Sequence, residues 1–100
     1  MHPRYGFPMM ADVIGEEIVM GREVADISLG GCRFRGPAWE NVDTEIELVL
    51  SFPTLGANLP LGGVVVRSSP NDMAIKFRGL SDEQKWALRK HLREAEQLGN

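Results

Sequence analysis

The sequence predicts a small, mainly β domain, in which six antiparallel strands form a closed or nearly closed barrel followed by one C-terminal helix. Apolar and polar residues alternate along residues 44–52 and 73–77, which predicts strands. The spacing of apolar residues changes from two to about four after Ser81, which predicts the helix. The length of 100 residues fits a single domain.

Composition narrows the class of protein. Hydrophobic residues make up 43% of the chain, as in globular domains. We find no apolar run of the roughly 20 residues that a membrane-spanning helix needs, and the N-terminus lacks the apolar core of a signal peptide, so membrane insertion is not expected. The single cysteine, Cys32, favours a reducing compartment and hence the cytoplasm. A net charge of −3 argues against general binding of DNA or RNA.

The first two strands are predicted at residues 9–14 and 17–25. The second places Ile18, Met20 and Val24 at even spacing, which is typical of a half-buried strand. After it, the paired glycines of residues 28–31 predict a turn or a bulge, because glycine adopts positive φ at little cost.

The third strand, residues 32–35, is predicted to carry two arginines on its outer face. Cys32 alternates with Arg33 and Arg35, so the sulfur points inward and both guanidinium groups point to solvent. The simplest interpretation of these arginines is a solvated face.

The remaining strands follow from alternation and from turn residues. Residues 44–52 form the fourth strand, which Pro53 ends. Residues 59–67 form the fifth strand, where Gly62-Gly63 predicts a bulge or sharp bend. Residues 73–77 form the sixth strand.

The C-terminal helix is predicted over residues 82–97. Ser81 and Gln84 have the spacing of a capping box at its start. Trp86 lies about 200° around the helix from the apolar stripe, which predicts an exposed aromatic ring. That ring has basic neighbours and marks either a partner surface, a dimer contact or a wider packing face. The stripe that docks on the barrel consists of Leu88, Leu92 and Ala95.

Residues 26–31, Asp-Ile-Ser-Leu-Gly-Gly, match the pattern D/N-x-S-x-x-G between the second and third predicted strands. Together with the strand order, this motif resembles the PilZ domain family, the receptors for cyclic di-GMP. The segment 73–77 followed by Leu80-Ser81 is similar to the family's last strand leading into its helix. The resemblance implies one domain over residues 1–100, with an arm at 1–8, a barrel at 9–78 and the helix at 82–97.

The resemblance also implies a ligand site. The family's second motif is R-x-x-x-R, ahead of the first strand, and its arginines clamp the guanine edges and phosphates of the ligand. Taken forward from Arg4, the second arginine of that motif falls on Pro8; we therefore take Arg4 as the second arginine, with the first falling before Met1. The implied cyclic di-GMP contacts are Arg4, Asp26, Ser28, Gly30 and Gly31, with Arg33, Arg35 and Arg67 as weaker candidates.

A turn alone also explains the motif, because Asp and Ser bond their own backbone in turns. The resemblance nevertheless implies a regulator, and not an enzyme, that binds cyclic di-GMP weakly for want of one arginine. It would relay the signal to an unidentified protein partner in motility, type IV pili, biofilm or virulence. The alternative is a degenerate PilZ domain that binds no nucleotide and acts as an adaptor through its acidic flank, residues 36–66, or through the Trp86 side.

No catalytic residue, metal site or cofactor is expected. Ser28 has no histidine at a position that the motif defines, and we find no cluster of His, Cys or acidic residues with ligand spacing. An oligonucleotide-binding barrel is disfavoured, because the aromatic residues fall on the apolar phase of the strands. The chain is expected to be a monomer or a weak dimer.

Overall fold

A computed structural model of the chain describes residues 9–53 and 55–98, which form an antiparallel sheet followed by one helix. The arm at residues 1–8, with Arg4, lies outside the described residues. The elements, in order, are β1 Met10–Ile14, β2 Ile18–Glu23, β3 Asp26–Ile27, β4 Gly31–Arg35, β5 Glu45–Phe52, β6 Ala57–Ser68, β7 Asp72–Arg78 and α1 Asp82–Leu98. The class predicted from the sequence, mainly β with a C-terminal helix, is confirmed.

The sheet is curled, although its ladder of hydrogen bonds is not closed. The strand order is β2-β1-β5-β6-β7-β4-β3, so its two edges are consecutive in the chain. In a flat sheet these edges would lie about 29 Å apart, whereas the segment from Glu23 to Asp26 spans at most about 11 Å. The linking residues extend the outermost ladder at each side of the sheet: the Val24 amide donates to Met9 O, just before β1, at 3.0 Å, and the Ala25 amide donates to Arg33 O on β4 at 2.8 Å. The chain itself thus joins the edges of an open barrel.

One apolar core fills the inside of the curled sheet and extends under α1. Phe34 and Phe52, the largest of the fully buried side chains, lie on β4 and β5. The predicted interior position of Cys32 is confirmed, since it is 1% exposed. The predicted stripe of α1 is also confirmed: Leu88, Leu92 and Ala95 are all buried in this core.

The described residues form seven strands, where the sequence analysis expected six. The extra strand, β3, arises because Asp26 pairs with Arg33 and Ile27 pairs with Cys32 across a short turn. The segment predicted as a loose turn or bulge is therefore the end of a tight hairpin, β3–β4.

The prediction that Ile18 and Met20 face the core is wrong. Each is 68% exposed, whereas Val24 is 4% exposed. The cause is an irregularity in the β1–β2 ladder between Ala11 and Val13, opposite which Gly21 adopts a φ of 63° and donates its amide to Asp12 Oδ1 at 2.7 Å. The irregularity changes the phase of β2, so Ile18 and Met20 face outward.

The bulge predicted at Gly62-Gly63 lies elsewhere on the same strand. Both glycines pair in regular register with β5 and β7, and the register shifts between Val65 and Arg67. Gly63 serves close packing instead, because a Cβ there would come within 2.7 Å of Ile75 Cγ2. Gly62-Gly63 thus allows close contact between strands.

Candidate ligand-binding site

The β3–β4 hairpin carries the D-x-S-x-x-G motif of residues 26–31, and Ser28 holds its turn together. The Ser28 amide donates to Gly31 O at 2.8 Å, and the Gly30 amide donates to Ser28 Oγ at 3.2 Å. Ser28 is 3% exposed, so its hydroxyl lies beneath the turn and supports its shape. This is the turn chemistry that Ser and Gly favour.

The same hairpin is fastened to β7 by its glycines. A Cβ on Gly31 would lie 2.0 Å from Ile75 O, so the β4–β7 approach leaves no space for a side chain. The next carbonyl back along the chain, Gly30 O, accepts from the Phe77 amide at 2.9 Å. The positive φ expected from paired glycines does not occur at Gly31, where steric space is what requires glycine.

Four charged side chains form a chain of ion pairs beside the hairpin. Arg33 donates from Nε to Asp26 Oδ2 at 2.8 Å, and its Nη1 lies 3.6 Å from Asp72 Oδ2. Arg67 donates from Nε to Asp72 Oδ1 at 3.0 Å. Arg33 therefore points outward as predicted, but it is paired and only 29% exposed in its side chain. Four strands, β3, β4, β6 and β7, are thereby connected.

These pairs favour the ionised forms of Asp72 and Arg33. The pKa of Asp72 lies below its ordinary value, chiefly because Arg67 donates a hydrogen bond to it, with Ser69 and Arg33 adding to the effect. The pKa of Arg33 is raised further, chiefly by its hydrogen bond to Asp26. The outer surface of the hairpin therefore presents fixed, alternating charges at neutral pH.

Another arginine, Arg22, was not among the predicted ligand contacts; it lies at the seam of the barrel, where the chain passes from β2 to β3. Arg22 donates from Nη2 to Arg35 O at 2.9 Å, and its guanidinium lies 4.9 Å from the ring of Trp39. Arg22, Glu23, Ala25 and Arg35 line a cavity of about 570 Å³ next to Asp26. The signal in the sequence was an arginine that interrupts the apolar series of β2.

The structure brings most of the predicted site residues together. Asp26, Ser28, Gly30, Gly31 and Arg33 share the hairpin, and Asp72 joins Arg67 to them. Arg35 is exposed and faces the neighbouring cavity. Arg4 lies outside the described residues, so its place in the site stays a prediction.

The family model of the PilZ domain matches residues 1–94. The chain belongs to the PilZ family. This is a family of cyclic di-GMP receptors, and the match covers both the hairpin motif and the arm that carries Arg4.

Solved PilZ structures share the fold. The inhibitor of motility MotI/DgrA of Bacillus subtilis matches with a TM-score of 0.75 at 16% identity, over 96% of this chain and 49% of that chain. The PilZ domain of CeSA from a cellulose-synthesising bacterium matches with a TM-score of 0.76 at 17% identity, over 94% and 98%. A tetrameric PilZ protein of Xanthomonas campestris, self-assembled through a helical bundle, matches with a TM-score of 0.62 at 22% identity, over 80% and 49%.

This PilZ domain spans about half the length of the MotI/DgrA chain. No curated protein matches the sequence significantly. Within residues 9–53 and 55–98, no helix is long and apolar enough to cross a bilayer. The same residues contain no group of three or more His, Cys, Asp or Glu side chains placed to hold a metal ion.

Proposed function

We propose that this PilZ domain binds cyclic di-GMP on the outer surface of the β3–β4 hairpin and relays the ligand's presence to a protein partner. The observation that carries the proposal is the hairpin itself, which holds Asp26 beside Arg33 on a turn fastened to β7. A carboxylate accepts from the N–H groups of guanine, and a guanidinium donates to guanine O6 and N7 or to phosphate.

Each motif residue has a part in this proposal. Asp26 accepts from the base, Gly30 lets the ligand approach the backbone, and Gly31 keeps the hairpin close against β7. Ser28 holds the turn in the shape that the ligand meets. Arg4 clamps the guanine or the phosphate from the arm. Arg33 supplies positive charge directly beside Asp26, and Arg67 and Arg35 are weaker contributors.

The number of clamp arginines sets the affinity of such a site. A charge-assisted hydrogen bond contributes about 1.5–3 kcal/mol, so a site with one clamp arginine binds about tenfold to a hundredfold more weakly than a site with two. Ligand binding draws the arm, residues 1–8, against the hairpin, and the arm's position is the signal that a partner detects.

A titration of the full chain tests the proposal. Calorimetry with cyclic di-GMP should give saturable heat, and NMR should show shifts at the amides of residues 26–31. Arg4→Ala and Asp26→Ala should each abolish most of the heat, whereas Arg78→Ala, an exposed arginine on β7, should not. Absence of heat and of shifts up to high micromolar ligand would overturn the proposal.

The output and the compartment follow from the same proposal. We infer a cytoplasmic regulator of motility, pili, biofilm or virulence, in line with the fold's presence in a motility inhibitor. Domains of this family regulate and do not catalyse, so no reaction is assigned to this chain.

The adaptor function remains the second candidate, and one observation favours it. Asp26 already accepts a hydrogen bond from Arg33, so the carboxylate of the motif has a partner within the protein when no nucleotide is bound. An adaptor would co-purify with its partner to the same extent with and without cyclic di-GMP, whereas a receptor's yield of partner would change.

A further inference from the structure

A groove runs between the tip of the β3–β4 hairpin and the first turns of α1. Its volume is about 500 Å³, which is within the range of ligand-binding clefts in proteins. Its walls are apolar, and cations stand at its rim: Leu29, Phe77, Leu80 and Leu88 form the walls, and Lys85 and Arg89 the rim.

The two cations of the rim lie one helical turn apart and are exposed. Among residues 9–53 and 55–97, neither forms a salt bridge with a carboxylate. The neighbouring Lys90 differs, because it lies 3.9 Å from Glu94 and 5.1 Å from the ring of Trp86 on the outer side of the helix. Lys85 and Arg89 are therefore available to a partner's carboxylates.

We propose that this groove binds an acidic, amphipathic segment of a partner protein. Apolar side chains of the segment fill the space between Leu29 and Leu88, and its carboxylates pair with Lys85 and Arg89. Charge complementarity selects this occupant. A second copy of the chain is disfavoured, because a symmetric contact through this face would bring the same cations together.

The groove shares a wall with the proposed nucleotide site, and in this respect the inference rests on the proposed function. Leu29 lies between Ser28 and Gly30, and the hairpin bonds to Phe77 through the Gly30 carbonyl at 2.9 Å. The hairpin thus presents Asp26 to the ligand and Leu29 to the groove. A nucleotide that shifts the hairpin therefore changes the affinity of the groove for the segment. A bound segment changes the affinity for the nucleotide by the same factor.

Selection from a random library of displayed 12-residue peptides tests the inference with the full chain as bait. The enriched peptides should combine Asp or Glu with Leu, Phe or Trp, and should shift the methyl signals of Leu29 and Leu88 in NMR spectra. In the variant Lys85→Glu/Arg89→Glu, both cations of the rim become anions. The affinity for the peptides should fall by about tenfold or more, because two ion pairs at a partly apolar site are lost.

The matched control is Lys90→Glu/Arg93→Glu, which makes the same change of net charge on the same helix, outside the groove. It should weaken the selected peptides by less than about threefold, because exposed charges that do not line the groove make no direct ion pair with the peptide. Equal losses in both variants would overturn the inference, since they would show general charge attraction. Enrichment of peptides without carboxylates, or no enrichment at all, would overturn it too.

A further variant separates this inference from the proposed function. Asp26→Ala removes the nucleotide contact but leaves the groove intact, so selected peptides should still bind to it without nucleotide. If cyclic di-GMP fails to bind but the peptides bind with the expected charge dependence, the peptide groove is supported and the proposed nucleotide site is refuted. If the nucleotide binds but no peptide does, the opposite conclusion follows.

Discussion

The carboxylate of the motif, Asp26, is paired with an arginine in this PilZ domain. Asp26 is bonded to Arg33, and Asp72 accepts from Arg67 while lying near Arg33. The like charge of carboxylate and phosphate is thereby offset before any ligand arrives. Asp72 joins two arginines from different strands, Arg33 on β4 of the hairpin and Arg67 on β6.

The first prediction concerns the acid sensitivity of Asp72. Its pKa in the folded protein lies below the ordinary value of 3.8, so its pairing stabilises the fold above about that pH. The stabilisation is lost as the pH falls through the lowered pKa of the folded state. Asp72→Asn should therefore lower the urea midpoint at pH 6, and the difference from the unmodified chain should shrink as the pH approaches 3.

Asp43→Asn is the control for this series. Asp43 is exposed with a φ of 74°, a conformation that asparagine also tolerates. Its substitution should shift the urea midpoint little at either pH. A difference for Asp72→Asn that stays constant from pH 6 to pH 3 would contradict the assigned role of the ion pairs.

The second prediction concerns the space at Gly31. Gly31→Ala places a methyl group where Ile75 O stands 2.0 Å away, so β4 and β7 must separate. We expect a loss of about 1–3 kcal/mol in the free energy of unfolding, as for overpacked sites, measured by urea denaturation. Gly62→Ala is the matched control in the same sheet, since its Cβ meets only Arg78 O at 3.3 Å. Equal losses would mean that the approach at Gly31 is not the reason for glycine.

At the scale of the elements, the sequence predicted what local pattern determines. β5 and β7 alternate without interruption, so their faces could be assigned from period alone. β2 and β6 could not, because each contains an irregularity whose place depends on its partner strand. The phase of β2 changes where Asp12 accepts from Gly21, and that of β6 changes at Val66. Alternation reveals a strand, but a bulge decides which side faces the core.

The candidate site divides in the same way. Asp26, Ser28 and Gly31 lie within six residues, so the sequence motif alone identifies them. Asp72 lies 39 positions after Arg33 in the sequence and joins it only because β4 pairs with β7. The groove under α1 likewise depends on where the helix docks, which no local pattern states.

The third prediction concerns the start of α1. The capping box predicted from Ser81 and Gln84 is present: the Gln84 amide donates to Ser81 Oγ at 3.1 Å, and the Ser81 amide donates to Gln84 Oε1 at 2.8 Å. Ser81→Ala should lower the free energy of unfolding by about 1 kcal/mol, measured by urea denaturation. Gln84→Ala should cost more than a cap alone, because Gln84 Nε2 also donates to Pro60 O on β6 at 3.1 Å.

Ser68→Ala, at the exposed end of β6, is the control for the loss of a serine hydroxyl. The double variant of Ser81 and Gln84 should lose less than the sum of the single losses, because each partner's loss leaves the other unpaired. Strict additivity would contradict a reciprocal box.

At the scale of the whole molecule, the proposed site lies at the seam of the barrel. Two residues, Val24 and Ala25, connect the edges of the sheet, and Asp26 follows directly. Arg22 lies just before the seam and packs over Trp39. A ligand held between the arm and the hairpin would therefore bridge the part of the barrel that its own ladder leaves open.

The fourth prediction uses that geometry. An arginine added directly before Met1 completes R-x-x-x-R with Arg4, so the arm gains its second fork for guanine or phosphate. The affinity for cyclic di-GMP should rise by about tenfold to a hundredfold, from one more charge-assisted bond of about 1.5–3 kcal/mol. Calorimetry of the full chain with and without the added residue measures the gain.

A lysine added at the same place separates geometry from charge. Lysine brings the same charge but not the planar fork, so it should recover only a small part of the gain. The gain from arginine should also disappear in Asp26→Ala, because the arm alone cannot hold a ligand that the hairpin does not meet. Equal gains from lysine and arginine would mean that the added residue acts through its charge alone and not through a bidentate hydrogen bond. No gain from either would refute the frame in which Arg4 is the second clamp residue, and with it the part of the arm in binding.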